Sequence, residues 1–260
     1  MGHFYAKDGT PHFDVTPSVA MEMGLFYSVT EIQKIEASPQ LDRWKLNTAI
    51  ETASKNSQRM DEDMKTYQKR IISEMYGDGS ATALGTKIHD AIEHVLSGER
   101  TREQVSLDLL PFVTPPLDYF EEKGFEVVEL EKVVVNEDEG YAGTCDVLAK
   151  TPSGQDIIMD WKSTKTIPSK PYNSHPEQIS AYAVAYYGYE RVMKGEIWGA
   201  NAYISTTDIY KRGENKGKAK FKVCSYKPYE LAEAYTRFQV VNELFRIRTG
   251  YDPRVKHRSN

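Results

Sequence analysis

At 260 residues, 40% of them hydrophobic and 27% charged, the chain is long enough to bury a full core and has the composition of an ordinary globular protein. Its 33 Lys and Arg against 38 Asp and Glu leave a net charge of −5, which argues against a nonspecific coat on nucleic acid. Two cysteines exclude a disulfide framework and a four-thiolate cluster, and no apolar run approaches the roughly 18 residues of a membrane span.

Residues 1–14 lack a basic stretch followed by an apolar core, so no secretory leader and a cytoplasmic location are expected. Thr30 and Gln33 have the spacing of a capping box for a short helix. Residues 41–76 read as helical, because Met60, Met64, Tyr67 and Ile71 recur at three- and four-residue spacing with no Gly or Pro between. A second helix over 84–96 is closed by Gly98. Pro111, Pro115 and Pro116 predict a break, then a short helix through Glu122 that stops at Gly124. A strand over 125–136, a turn over 137–140, a strand over 141–150, a turn over 151–155 and a strand over 156–162 then form a meander.

Residues 163–174 read as a polar loop containing Pro168 and Pro171. Pro176 sits at the favoured start of a helix running to about residue 194. Strands over 196–205 and 220–226 and a closing helix over 230–248 complete the chain. No internal repeat, low-complexity tract or long linker appears. One domain is expected over 1–260: a mainly helical region 1–80, a core 84–206, and a hairpin with a closing helix 207–260. The fold class is α/β, with a mixed central sheet flanked by helices.

Charge is unevenly spread. Lys211, Arg212, Lys216, Lys218, Lys220 and Lys222 face only Glu214 in the strip 211–222, and the tail is basic at Arg246, Arg248, Arg254, Lys256 and Arg258. Acids gather over 51–63 and 121–139. Local basic strips on an acidic chain suit an enzyme that binds DNA transiently; a solvated hairpin loop accounts equally well for 211–222.

The densest chemistry lies in 141–162. Asp146 sits inside one strand among apolar neighbours, where an unpaired carboxylate is costly. Asp160 and Lys162 are two apart on another strand, so both project to one side. Lys162 is either the ion-pair partner of Asp160 or a cation that stabilises charge on a phosphate. Two acids and a lysine at a sheet edge suit holding Mg²⁺ against a phosphate and polarising water, with the Trp161 carbonyl as a further ligand. Glu131, on the preceding strand, either joins this site or forms a salt bridge near it. On the helix 84–96, His89 shares a face with Glu93, which would fix its tautomer. Gln178 and Tyr182 are four apart on the following helix; a polar helix face explains them as well. His175 has a weaker claim.

In order, these residues spell G-x-x-x-H, Y-x-G-x-x-D-x-x-A, D-W-K and P-x-Q-x-x-A-Y. The series resembles the PD-(D/E)XK nuclease superfamily in its RecB-like branch, and within it is similar to the mitochondrial genome maintenance exonucleases and related phage and bacterial exonucleases. The proline of the superfamily's name is absent, since Thr144 and Cys145 precede Asp146. The resemblance runs from about Tyr27 to Ser205 and implies a restriction-endonuclease-like core.

It also implies roles. His89, Asp146 and Asp160, with the Trp161 carbonyl, would bind Mg²⁺ or Mn²⁺; Lys162 would activate water; Gln178 would orient the lysine or phosphate; Tyr182 would support the helix face or touch DNA. Ser28, Thr30, Lys165, Lys216 and Lys218 would contact DNA. An iron–sulfur cluster, found in several relatives, is excluded by the cysteine count. The implied activity is metal-dependent exonuclease action on single-stranded DNA or single-stranded ends in replication, repair or recombination. A structure-specific endonuclease, or an idle DNA-binding accessory protein, is the alternative. DNA is the expected partner, with replication or recombination proteins possible in addition, no membrane, and a monomer by default. Phe26, Tyr27, Trp44, Trp161 and Tyr172 supply aromatic rings for stacking on unpaired bases, although a place in the core is the better account of any single one.

Overall fold

The computed structural model describes residues 3–36, 39–76 and 81–255; Lys256 and Arg258 of the basic tail lie outside the described residues. Short strands β1 (Phe4–Tyr5) and β2 (Pro11–His12) precede helix α1 (Pro17–Glu22), strand β3 (Phe26–Ser28) and helix α2 (Val29–Gln33). Helices α3 (Pro39–Lys55), α4 (Met64–Tyr76), α5 (Ala81–Leu96) and α6 (Leu110–Lys123) follow. Strands β4 (Glu126–Asn136), β5 (Tyr141–Lys150) and β6 (Asp156–Thr164) form the expected meander. Helices α7 (Ser174–Tyr187) and α8 (Tyr189–Met193) cross to β7 (Trp198–Ile209), which pairs with β8 (Ala219–Tyr226) before the closing helix α9 (Pro228–Thr249).

The sheet is mixed, as the sequence predicts. Its order is β2-β1-β3-β5-β6-β7-β8, with β4 also on β5. The β6–β7 pair is parallel and the β4–β5, β5–β6 and β7–β8 pairs are antiparallel. One face buries Tyr141, Leu148, Ile158, Ile179, Tyr235 and Phe238 under α7 and α9. The other buries Ile88, Ile92, Leu117, Phe120, Val147 and Met159 under α5 and α6. Both layers sit on β5 and β6, which therefore read as near-continuous apolar runs broken only where chemistry is placed.

One feature of this sheet positions the site. On one edge β5 is paired with β4 along its length. On its other edge it pairs with β3 only at Tyr141 and Ala142, and with β6 only from Val147 onward. Residues 143–146 therefore face a gap where β5 passes from one neighbour to the other.

Several expectations are corrected. The helical stretch 41–76 is two helices, α3 and α4, since Asp63 starts a new one by accepting from the Thr66 amide (2.6 Å). The prolines do not break α6: Pro111 lies in its first turn, and Pro115 and Pro116 lie inside it. Burial of Val113, Leu117 and Phe120, at about 1.5–3 kcal/mol each, is large enough to offset the roughly 3 kcal/mol an interior proline costs. The helix from Pro176 begins at Ser174 and is interrupted at Gly188, whose φ of 90° is open to glycine. The region 1–80 is mainly helical as expected, and β1, β2 and β3 add short strands to the sheet. The cap of α2 is Ser28, not Thr30: its Oγ accepts from the Glu31 amide (3.1 Å). No described helix is long and apolar enough to cross a membrane.

Candidate functional site

Asp160 and Lys162 do project to one side of β6, and their side chains meet: Lys162 Nζ lies 2.7 Å from Asp160 Oδ2. The same ammonium donates to Gln178 Oε1 (2.8 Å), and Gln178 Nε2 donates to the Tyr182 hydroxyl (3.0 Å). Helical spacing puts Gln178 and Tyr182 on the face of α7 that lies on the sheet. Asp160 is only 4% exposed and Gln178 6%, so this chain of contacts is shielded from competing water.

Tyr182 reaches that position because residue 143 is glycine. A Cβ there would lie 2.4 Å from the Tyr182 ring, closer than atoms pack. The G of Y-x-G-x-x-D is thus the floor on which the tyrosine of P-x-Q-x-x-A-Y rests.

Asp146 sits at the far end of the gap in β5. Its Oδ2 accepts the amide N–H of Trp161 (2.7 Å), so a side chain supplies the rung that the parted strands lack. Burial, then the charges of Asp160 and Glu131, push the Asp146 carboxyl well above its ordinary range; Lys162 and the Trp161 amide oppose this. The Trp161 ring itself is in the core, 5.7 Å from Phe120. Because N–H and C=O of one strand residue point the same way, the Trp161 carbonyl opens into the same gap as its amide.

Glu131 joins this neighbourhood. It stands opposite Asp146, between the pairs Leu130↔Val147 and Lys132↔Cys145. Among the described residues it alone, besides glycines, has a positive φ (44°). Over a third of its surface is open, yet desolvation, then Glu93, Asp90 and Asp160, raise its carboxyl to about 7. Like charges set face to face repel, and a residue held in the left-handed region is strained. Among the described residues no hydrogen bond joins Glu93 to His89, so the pairing expected to fix the histidine's tautomer is not made. His89 Nε2 is buried with no hydrogen-bond partner, and burial, ahead of the nearby charges of Asp160, Lys162 and Asp90, lowers the pKa of its ring.

Two partners of the site escape the motif reading. Asn201 Nδ2 donates to Asp160 Oδ2 (3.1 Å), and Tyr226 donates its hydroxyl to Asn201 Oδ1 (2.7 Å). The register Asp160↔Asn201 makes them neighbours. An amide inside the apolar run W-G-A-N-A-Y-I was the signal available. His175, given a weak claim, lies 2.7 Å from the Tyr203 hydroxyl, and Tyr203 is the register neighbour of Lys162.

The expected DNA contacts divide. Ser28 is buried and used as a cap, with Thr30 Oγ1 3.0 Å from its Oγ. Lys218 is held by Asp118 (2.6 Å). Lys165 and Lys216 are exposed, and no ion pair engages them among the described residues. Of the aromatic rings, Phe26, Tyr27 and Trp161 are core, Trp44 is half-buried, and Tyr172 is 51% exposed.

Among the described residues, no three His, Cys, Asp or Glu side chains converge closely enough to hold a metal ion. As donors, Asp146, Asp160 and His89 nevertheless fit a hard divalent cation: a half-buried and a buried carboxylate whose charges repel, and a buried ring nitrogen without a partner.

The chain matches no protein-family model and no curated protein. Among solved structures, one titled "Crystal structure of SSO0001" is 13% identical, covering 78% of this chain and 86% of that one with a TM-score of 0.32, a likeness too distant to carry an argument.

Proposed function

We propose that this protein is a metal-dependent deoxyribonuclease of the PD-(D/E)XK type that hydrolyses phosphodiester bonds in single-stranded DNA or at single-stranded ends. The observation that carries this reading is the chain Asp160–Lys162–Gln178–Tyr182 beside the half-buried Asp146, at the gap in β5. Asp146, Asp160 and His89 would hold Mg²⁺ or Mn²⁺, with the Trp161 carbonyl as a further oxygen. Bound there, the cation supplies a water of lowered pKa and charge neutralisation at the phosphate.

The chain's own groups do the rest. Lys162 is a fixed cation, aimed by Gln178 and backed by Tyr182, so its charge is in place before the phosphate becomes more negative. Gln178 receives the ammonium through its carbonyl and gives its amide to Tyr182, which fixes the amide's orientation. Asn201 occupies one lone pair of Asp160 and restrains the carboxylate's rotation.

A specific observation favours a second reading, DNA binding without cleavage: Lys162 and Asn201 already engage Asp160 Oδ2, and the Trp161 amide engages Asp146 Oδ2. End-labelled linear and closed circular single strands of one sequence, incubated with Mg²⁺, Mn²⁺ or EDTA, separate the readings. Metal-dependent loss of the linear strand alone supports an exonuclease. Cutting of both moves the assignment to an endonuclease, and binding without cutting in every condition supports the second reading.

A further inference from the structure

We propose that Tyr172 is a preformed stacking platform for an unpaired nucleobase next to the phosphate at Lys162, an inference that rests on the nuclease reading above.

The loop joining β6 to α7 is pinned along its length. The Lys165 carbonyl accepts from Ser205 Oγ (2.9 Å) and Thr207 Oγ1 (2.7 Å). The carbonyls of Pro168 and Ser169 accept from Lys222 Nζ (3.2 and 2.8 Å). The Tyr172 carbonyl accepts from the His175 amide (3.0 Å). Pro168 and Pro171 restrict the backbone further.

The ring of Tyr172 is held as well. It stands at 88° to the His175 imidazole with centroids 5.3 Å apart. His175 is in turn locked to the Tyr203 hydroxyl at 2.7 Å, and Tyr203, 1% exposed, is the register neighbour of Lys162. A rigid path of rings therefore leads from the candidate site to Tyr172, which remains 51% exposed. An aromatic side chain braced so firmly, yet left open, loses little freedom when a planar ligand settles on it. Lys165 and Lys170 are exposed on the same loop. An open ring on a loop that also carries exposed cations matches an unpaired nucleotide, whose base presents a π-face and whose backbone is anionic.

The test is anisotropy of a short labelled single strand in EDTA, with wild type, Tyr172→Ala and Tyr172→Phe, on an intact strand and on one whose bases are replaced by abasic sites. Tyr172→Ala is expected to raise Kd about 5- to 100-fold on the intact strand and to leave the abasic strand unchanged, with Tyr172→Phe close to wild type. An unchanged Kd in Tyr172→Ala, or an equal loss on the abasic strand, overturns the platform while leaving the nuclease reading standing. If the wild type binds neither strand, the platform is overturned, while the nuclease reading is decided separately by the metal-dependent cleavage of linear and circular strands.

Discussion

At the centre of the sheet, Asp160, Lys162, Gln178, Tyr182, Asn201 and Tyr226 form one hydrogen-bonded chain, of which every member but the half-buried Lys162 is buried. The α3–α4 hairpin is built differently. Arg70 clasps Glu62 (2.8 Å), Glu74 (3.1 Å) and the Ser57 carbonyl (3.1 Å) near the surface, and Leu46, Ile50, Met64 and Ile72 are each more than half exposed. In the first region a lost partner leaves a buried polar group stranded; in the second, water takes its place. The loss of one contact therefore carries unequal consequences in the two regions.

The comparison can be broken at its strongest point first. Asp160→Asn and Lys162→Ala are each expected to cut the initial rate of metal-dependent DNA cleavage at least about 100-fold. Circular dichroism would report whether the fold survives; wild-type rates in either variant would remove the site from the centre of the sheet. Gly143→Ala is expected next, at about 1–3 kcal/mol of stability from overpacking against Tyr182, read as a lower urea midpoint. A midpoint equal to wild type would mean that Tyr182 can move aside, and that its place on Gly143 is not fixed.

Asn201→Ala strands the Tyr226 hydroxyl and one lone pair of Asp160, an expected loss of about 1–3 kcal/mol. Adding Tyr226→Phe should return part of it; additive losses would show the two groups to be uncoupled. A subtler effect comes from Glu177, whose Oε2 is buried without a partner. Burial, then Glu36, raises its carboxyl from 4.5 to about 6, against the pull of Arg237. The folded state thus binds this proton more tightly than the unfolded chain. Its contribution is complete below 4.5 and is lost as pH rises through about 6. Glu177→Gln should flatten the melting temperature across that window, and an unchanged profile would count against the shift. The smallest effect belongs to the hairpin. Arg70→Ala should speed proteolysis between residues 56 and 63 while leaving the main unfolding transition nearly in place.

These two regions also differ in how they read from sequence. In the centre, alternation and turn residues give β5 its observed ends, Tyr141 and Lys150, and the two-residue spacing of Asp160 and Lys162 foretells their shared side. Those signals are local. Asn201 depends on which strand lies beside β6, and that is decided by the α7–α8 crossover rather than by any neighbour in sequence. In the hairpin, the turn contains neither Gly nor Pro, so a continuous helical period hides a stop that Asp63 makes by capping. In α6 the local signal points the other way: Pro115 and Pro116 say break, and the packing of Val113, Leu117 and Phe120 overrules them. Two-residue strands such as β1 are too short to carry a period at all.

The rung that Asp146 makes to Trp161 has a use beyond holding the strands. Because the acceptor is a titratable carboxylate and not a main-chain oxygen, the environment of that one amide proton follows whatever the carboxylate does. Its nuclear resonance would move when a cation or a proton occupies Asp146, while amides of the regular ladder from Val147↔Met159 to Lys150↔Asp156 stay still. The molecule thus carries its own spectroscopic gauge of occupancy, legible without a substrate or a turnover.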